Sequence, residues 1–377
     1  MALADSSSPS LSPCSDDLVL PDCIKILGIT DDDDLLQYGM NTTTTLVKNI
    51  GYTSGSAVAL VGNLVYVVGG HDNNDFPTSL VVFYDITESS ISLPLAKHQG
   101  PSLNSPKFVP KLIVMGSKLF AFSRRFLRDM PCPNPSSLYQ SSPLAAPESL
   151  PICEFLDTSS PFNKWCSITS FPILPPPKTK GLHAYAISSY AVQPNKDVLF
   201  LSFGLRFDSV GVFSISYNHS LDFWTNVHPL PLPFVGEGQF IDDVCFGFPC
   251  GMDTHYRIRD YVVSYRVIVE YDCADTFQFI PLAKYSLLSN STLTNYPTLF
   301  SFQLVSSRIL TTIRVKPHHY SSDYSLELEV LELLPLKVEK KQVEDMEEII
   351  LHPSHVCSTT TYTMYDHHFR AIVGAYW

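Results

Sequence analysis

Apolar residues in this chain gather into short runs, and the runs come in pairs separated by a few turn-forming residues. The first pair reads AVALVGNLVYVVGG over 57–70, with Gly62-Asn63 between its halves. Others read KLIVMGSKLFAFSRR over 111–125, YAISSYAVQPNKDVLFLSFG over 185–204 and LFSFQLVSSRILTTIRV over 299–315. A weaker pair joins DDVCFGF to DYVVSYRV, ending at Val267, and a last one reads TTYTMYDHHFRAIVGAYW over 360–377. Turns such as Gly116-Ser117, Pro194–Asp197, Ser306-Ser307 and Asp366–His368 suit tight connections, so each pair predicts a β-hairpin. The pattern therefore predicts six hairpins.

Most hairpins are followed by a third strand-like run and then a fourth. SLVVFYDI and ISLPL follow the first, ICEFLD and KWCSITSFP the second, and GVFSISY and DFWTNVHPLP the third. VIVEYD and TFQFIPL follow the fourth, and YSLELEVLELLPL follows the fifth. The sixth reaches the C-terminus without a third strand. NTTTTLVKNIG over 41–51 and VLPDCIKILGI over 19–29 are the strand-like segments that can complete it, by pairing of N- and C-terminal strands. Residues 1–40 otherwise read as a mostly irregular N-terminal leader, and residues 41–377 as a single domain. The charge-dense stretch over 334–353 predicts either a short helix or a solvated insertion between strands.

Composition sharpens this picture. A hydrophobic fraction of 45% and an aromatic fraction of 12% can fill a large core, while only 16% of residues are charged and 29 are proline. That balance suits an all-β protein with long loops. The net charge of −12 disfavours nucleic acid as a partner. Nine cysteines without a CxxC pair read as reduced thiols. The first residues lack a basic start and an apolar segment, and no apolar run approaches the ~18 residues of a membrane span. A cytoplasmic or nuclear location, with no membrane partner, is expected.

Gly69-Gly70 followed by Tyr84-Asp85 resembles a kelch repeat, in which a glycine pair ends one strand, an aromatic sits on the next and a tryptophan follows. Trp165 and Trp224 resemble that tryptophan in the second and third copies, and Tyr271-Asp272 with Phe277 resembles a worn fourth copy. The hairpin spacing averages near the ~50 residues of a kelch blade. The pattern over 54–377 is similar to the divergent plant kelch-type propellers of the galactose oxidase/kelch class that lack an F-box. The resemblance implies an all-β, kelch-like β-propeller with six blades, closed by pairing of N- and C-terminal strands. A pair of β-sandwiches is the rival architecture.

Candidate chemistry is sparse. The chain carries no nucleophile elbow, phosphate loop, zinc-protease helix or dinucleotide fingerprint. No catalytic residue, metal ligand or cofactor is assigned. The copper-radical set of galactose oxidase is not placed by any residues here. His318-His319 and His367-His368 are neighbours that point to opposite faces of a strand, and GGHDNND over 69–75 reads as turn hydrogen bonding. One recurrence remains. Aligned at the ends of the second hairpin strands, the chain shows His71, Arg124 with Arg125, Arg206, Arg266 and Arg314. Such a set would form a cationic face for an acidic partner. The sequence thus points to a non-catalytic protein-interaction module. The alternatives are an enzyme acting on a small anionic substrate in a central funnel, and a ubiquitin-ligase adaptor relative without its F-box.

Overall fold

The computed structural model describes residues 25–30, 35–39, 42–47, 50, 55–70, 72, 76–88, 95–107, 110–123, 153–160, 164–168, 171–172, 185–205, 211–241, 243–249, 261–270, 276–286, 299–306, 309–317, 324–332, 339–343, 346–350, 356–364 and 369–376. Among these described residues the elements are 26 strands and two single turns of 3-10 helix. Among the described residues, no helix is long and apolar enough to cross a membrane.

The strands fall into antiparallel meanders in chain order. The first sheet holds β4 (Ser56–Val61), β5 (Leu64–Gly69), β6 (Val81–Asp85) and β7 (Lys97–Gln99). The second holds β8 (Lys111–Met115), β9 (Lys118–Phe122), β10 (Cys153–Asp157) and β11 (Trp165–Ile168). Next come β12 (Tyr185–Gln193), β13 (Val198–Leu205), β14 (Gly211–Asn218) and β15 (Phe223–Trp224). They are followed by β16 (Phe234–Ile241), β17 (Val244–Pro249), β18 (Tyr261–Glu270) and β19 (Thr276–Ser286). These two meanders merge into one eight-stranded sheet through a parallel ladder between β12 and β16. A further sheet contains β20 (Leu299–Ser306), β21 (Ile309–Pro317), β22 (Tyr324–Glu332) and β25 (Val356–Met364). A separate hairpin, β23 (Glu339–Val343) with β24 (Met346–Ile350), lies between β22 and β25 in the chain. The last sheet joins the two ends: β26 (Phe369–Tyr376) pairs with β1 (Lys25–Thr30), followed by β2 (Leu35–Gly39) and β3 (Thr42–Val47).

The second strand of each of the first three meanders is apolar at successive positions because both its faces are covered. On β5, Val65 and Val67 pack with Leu27 and Leu35, whereas Tyr66 and Val68 pack with Leu112 and Leu119 of the second sheet. On β9, Leu119 and Ala121 face the first sheet, and Phe120 and Phe122 face Leu199 and Leu201. On β13, Leu199 and Leu201 face back, while Val198 and Phe200 join Phe234, Phe240 and Tyr265. A period-2 side-chain alternation thus serves two neighbours at once. Neighbouring sheets also approach along single strands: β4 lies beside β8, β8 beside β12, β12 beside β16, β16 beside β20, β20 beside β26, and β26 beside β4.

A shared turn closes the first three meanders. The residue following the end of the third strand, or its close equivalent, donates its N–H to the hairpin turn. Ile86 donates to the Asn63 carbonyl at 2.9 Å, Thr158 to Ser117 at 2.9 Å and His219 to Asp197 at 2.8 Å. The carboxylates of Asp85 and Asp157 each take the N–H and hydroxyl of the residue two further on, Thr87 at 2.9 and 2.6 Å and Ser159 at 3.0 and 2.6 Å. These are Asx turns, the local preference of Asp followed by Thr or Ser.

Several expectations are corrected. The run over 360–377 is not a hairpin: β25 pairs with β22, and β26 pairs with β1. The fourth meander begins one strand earlier than the hairpin pattern predicts: it starts at β16, and YVVSYRVIVE is the single ten-residue strand β18. The stretch over 334–353 carries the β23–β24 hairpin rather than a helix. Within residues 1–40, read as a leader, β1 and β2 are regular strands.

Candidate functional site

Of the cations aligned in the sequence, only Arg266 and Arg314 lie among the described residues, and these two occupy different strands of their sheets. His71, Arg124, Arg125 and Arg206 lie outside the described residues, as does Tyr271. Arg314 lies on β21, the second strand of its sheet, opposite Phe300 and Glu327. Arg266 is exposed, but it sits in the middle of β18, a third strand, opposite Val244 and Ile280. Its apparent equivalence arises because the hairpin pattern pairs β17 with β18, the second and third strands of their meander.

The kelch-like positions sit between sheets. Tyr84 is buried, and its hydroxyl donates to the Ile50 carbonyl at 2.8 Å. Trp165 packs between the first two sheets and donates its indole N–H to the Pro101 carbonyl at 2.9 Å. Trp224 packs on Tyr217 and Phe171, and its buried indole nitrogen has no partner among the described residues. The N–H of Gly70 donates to the Lys107 carbonyl at 3.3 Å. In the GGHDNND loop, the Asp72 carboxylate accepts the Phe76 N–H at 2.9 Å.

The backbone of Gly70 thus lies beside a residue of a fully buried ion pair. Lys107 Nζ lies 2.8 Å from Glu154 Oε1, and both side chains are wholly inaccessible. Glu154 also accepts the N–H groups of Asn104 at 2.7 Å and Ser105 at 3.1 Å, and the Ser105 hydroxyl at 2.8 Å. Asn104 reaches on to the Trp165 carbonyl at 3.0 Å. The network ties the 101–107 segment across two sheets, and its charges are matched internally, as buried charges require.

A second polar cluster is built differently. Lys111, Tyr190, Glu237 and Gln239 come from β8, β12 and β16, the first strands of three successive meanders. The parallel ladder sets Tyr190 directly opposite Glu237. The Lys111 ammonium lies 4.5 Å from the centre of the Tyr190 ring. Gln239 Nε2 donates to Glu237 Oε1 at 2.6 Å, and the Tyr190 phenol hydrogen-bonds the same carboxylate.

Glu237 is held out by a bulge. In the β16–β17 ladder, Val235 faces Phe248 and Gln239 faces Phe246, so Gly236, Glu237 and Gly238 stand opposite Gly247 alone. Gly236 has φ +70°, which few other residues adopt, and a Cβ on Gly238 would lie 2.7 Å from the Phe234 ring. Bulges of this kind re-aim a side chain.

Burial acts on every titratable member. It pushes the Tyr190 phenol well above its usual range, and the adjacent Glu237 charge adds to this. It raises the Glu237 carboxyl against the opposing pull of Tyr190, Lys111 and Gln239. It lowers the Lys111 ammonium, against the attraction of Glu237. A half-buried cation, a half-buried anion and a buried phenol are thus gathered where three sheets meet, and titratable groups shifted by their surroundings in this way mark a candidate site. One sign of it is legible in the sequence, a lone Glu between two glycines in an apolar stretch. Lys111 and Tyr190 look like an ordinary strand start and a core aromatic.

A family model described as a protein of unknown function, DUF1668, matches residues 39–268 and covers all four residues of this cluster. No curated protein matches the chain.

Proposed function

Since the chain belongs to this family of unknown function, DUF1668, we propose that it is a kelch-type propeller of six four-stranded units that acts as a non-catalytic protein-interaction module. The observation that carries the reading is the series of neighbouring strands from β4 to β26, in which β26 lies beside β20 and β4 while pairing with β1. Burial of both faces of β5, β9 and β13 adds support, since each sheet of a two-layer sandwich buries one face. Such a scaffold leaves its loops and outer edges free for partners.

One outer edge is apolar. Leu221 is 67% exposed and Leu230 63%, with Val212 and Phe223 also exposed, all along or just beyond β14 and β15. Because β15 has only two residues, the 225–230 segment covers the rest of that edge through a bridge between Ser214 and His228. A partner protein is proposed to dock there. The test is affinity capture from the source tissue with wild type and a Leu221→Glu/Leu230→Glu variant, with Arg266→Ala and Arg314→Ala in parallel. The reading expects a discrete set of partners that the double variant loses. A partner set unchanged by the double variant removes the edge from the proposal, and capture of no partner counts against the module itself.

A further inference from the structure

The outer strands of the meanders differ in length. Those of the first three, β7, β11 and β15, have three, four and two residues. That of the fourth, β19, has eleven and ends its eight-stranded sheet, so among the described residues its outer edge has no ladder. It reads TFQFIPLAKYS, largely apolar, with Lys284 as its one charged residue. The outer strand of the fifth sheet, β25, has nine residues but reads VCSTTTYTM, mostly hydroxyl-bearing. A long apolar edge is a template for a further strand, and very short edge strands are one way in which proteins avoid offering one.

The β23–β24 hairpin stands where a guard for that edge would stand. It is inserted between β22 and β25 of the fifth sheet, yet its β24 strand lies beside β19 of the fourth. The two form no ladder, because β23 and β24 make a two-stranded sheet of their own. The fifth sheet does not need the insertion to close its own turn, since Leu331 on β22 already lies opposite Val356 on β25. A lone two-stranded hairpin is marginally stable, so a cover of this kind is displaced more easily than a paired strand.

We propose that the β23–β24 hairpin caps the outer edge of β19, and that the edge beneath it is a docking strand for the β19 of a second copy of this chain. Pairing of a strand with its own copy takes a two-fold axis, which runs the two strands antiparallel. Like charges facing one another oppose such pairing, and β19 carries a single charge near one end. Gln278 and Pro281 are exposed positions on the strand. Proline has no N–H to donate, so the pairing is weaker than a regular ladder. One strand edge is also a small interface, of the class that associates transiently. This edge belongs to a different meander from Leu221 and Leu230 and does not rest on their role.

The test compares the full chain with a variant in which residues 337–352 are replaced by a short Gly-Ser turn. Size-exclusion chromatography with light scattering gives the mass, and amide exchange of 276–286 is followed in dilute and concentrated samples. The wild type is expected to stay monomeric, and the capless variant to shift from monomer to dimer as concentration rises. Its 276–286 amides should exchange faster than in the wild type when dilute and slower when concentrated. Gln278→Lys in the capless variant is expected to weaken the dimer about tenfold, since lysine on an edge opposes pairing. Should the replacement not fold, Glu348→Pro, which breaks the β23–β24 ladder opposite Lys341, is expected to give the same shift. The proposal is overturned if neither variant associates more than the wild type, if a dimer forms without slowing exchange of 276–286, or if Gln278→Lys leaves its affinity unchanged.

Discussion

Gly69 shows how closely single residues are constrained. It has φ +72°, and a Cβ there would sit 2.7 Å from the Lys107 carbonyl oxygen and 3.2 Å from the Pro110 ring. The contact on one side is backbone, held by the Lys107–Glu154 network, so it has little room to retreat. Gly69→Ala is expected to cost about 1–3 kcal/mol from backbone strain alone, read as a lower midpoint in urea unfolding with an unchanged slope. His219 is constrained by its environment. Its ring meets Phe155 at 4.7 Å and Phe120 at 5.8 Å, edge to face, and its buried Nδ1 has no partner among the described residues. Burial, with the charge of Lys118, holds its proton affinity below the ordinary value of 6.5. The unfolded chain therefore binds more protons as the pH falls through 6.5, and stability contributed by the neutral ring is present above that pH and lost below it. Unfolding midpoints at about pH 7.5 and about pH 5.5 should fall further for the wild type than for His219→Phe. An equal fall would place the acid sensitivity elsewhere.

Elements repeat because their turns repeat. The Asp157 carboxylate is drawn below its usual range, first by the Ser159 hydroxyl, and it also accepts the Ser117 hydroxyl at 3.1 Å. It thereby pins the end of β10 to the β8–β9 turn. Asp157→Ala should cost about 1 kcal/mol, the typical net value of a lost side-chain hydrogen bond, while Asp157→Asn should cost less; thermal melts of the three proteins decide it. Strands of this kind were legible in the sequence. Continuous apolar runs on β5, β9 and β13, each followed by a polar turn signal, mark strands covered on both faces. The fourth meander was not, because the Gly236–Gly238 bulge erases the alternation on β16 and shifts the hairpin assignment by one strand. The candidate site was illegible for a related reason. Lys111, Tyr190 and Glu237 lie far apart in the chain and meet only where β8, β12 and β16 run side by side.

At the scale of the molecule, the last sheet joins strands from opposite ends of the chain. β26 contributes a ladder to β1 and also lies beside β4 and β20. Removing residues 369–377 would leave edges on neighbouring strands unpaired, and such edges seek other chains. A variant lacking them is expected to elute as aggregates in size-exclusion chromatography, and addition of a synthetic peptide of residues 365–377 should restore part of the monomer peak. A deletion variant that stays monomeric and melts cooperatively would deny β26 this role.

The same ladder sets a clock during synthesis. Lys25 and Phe369 are 344 residues apart in the chain (369 minus 25). At roughly 5–20 residues per second, the ribosome needs about 20 to 70 s to deliver the partner that β1 requires. For most of that interval the strands from Lys25 to Val47 are outside the exit tunnel with the β1–β26 ladder still to form. The nascent chain is therefore most exposed to mispairing at its beginning, and it stays so until its final strand arrives.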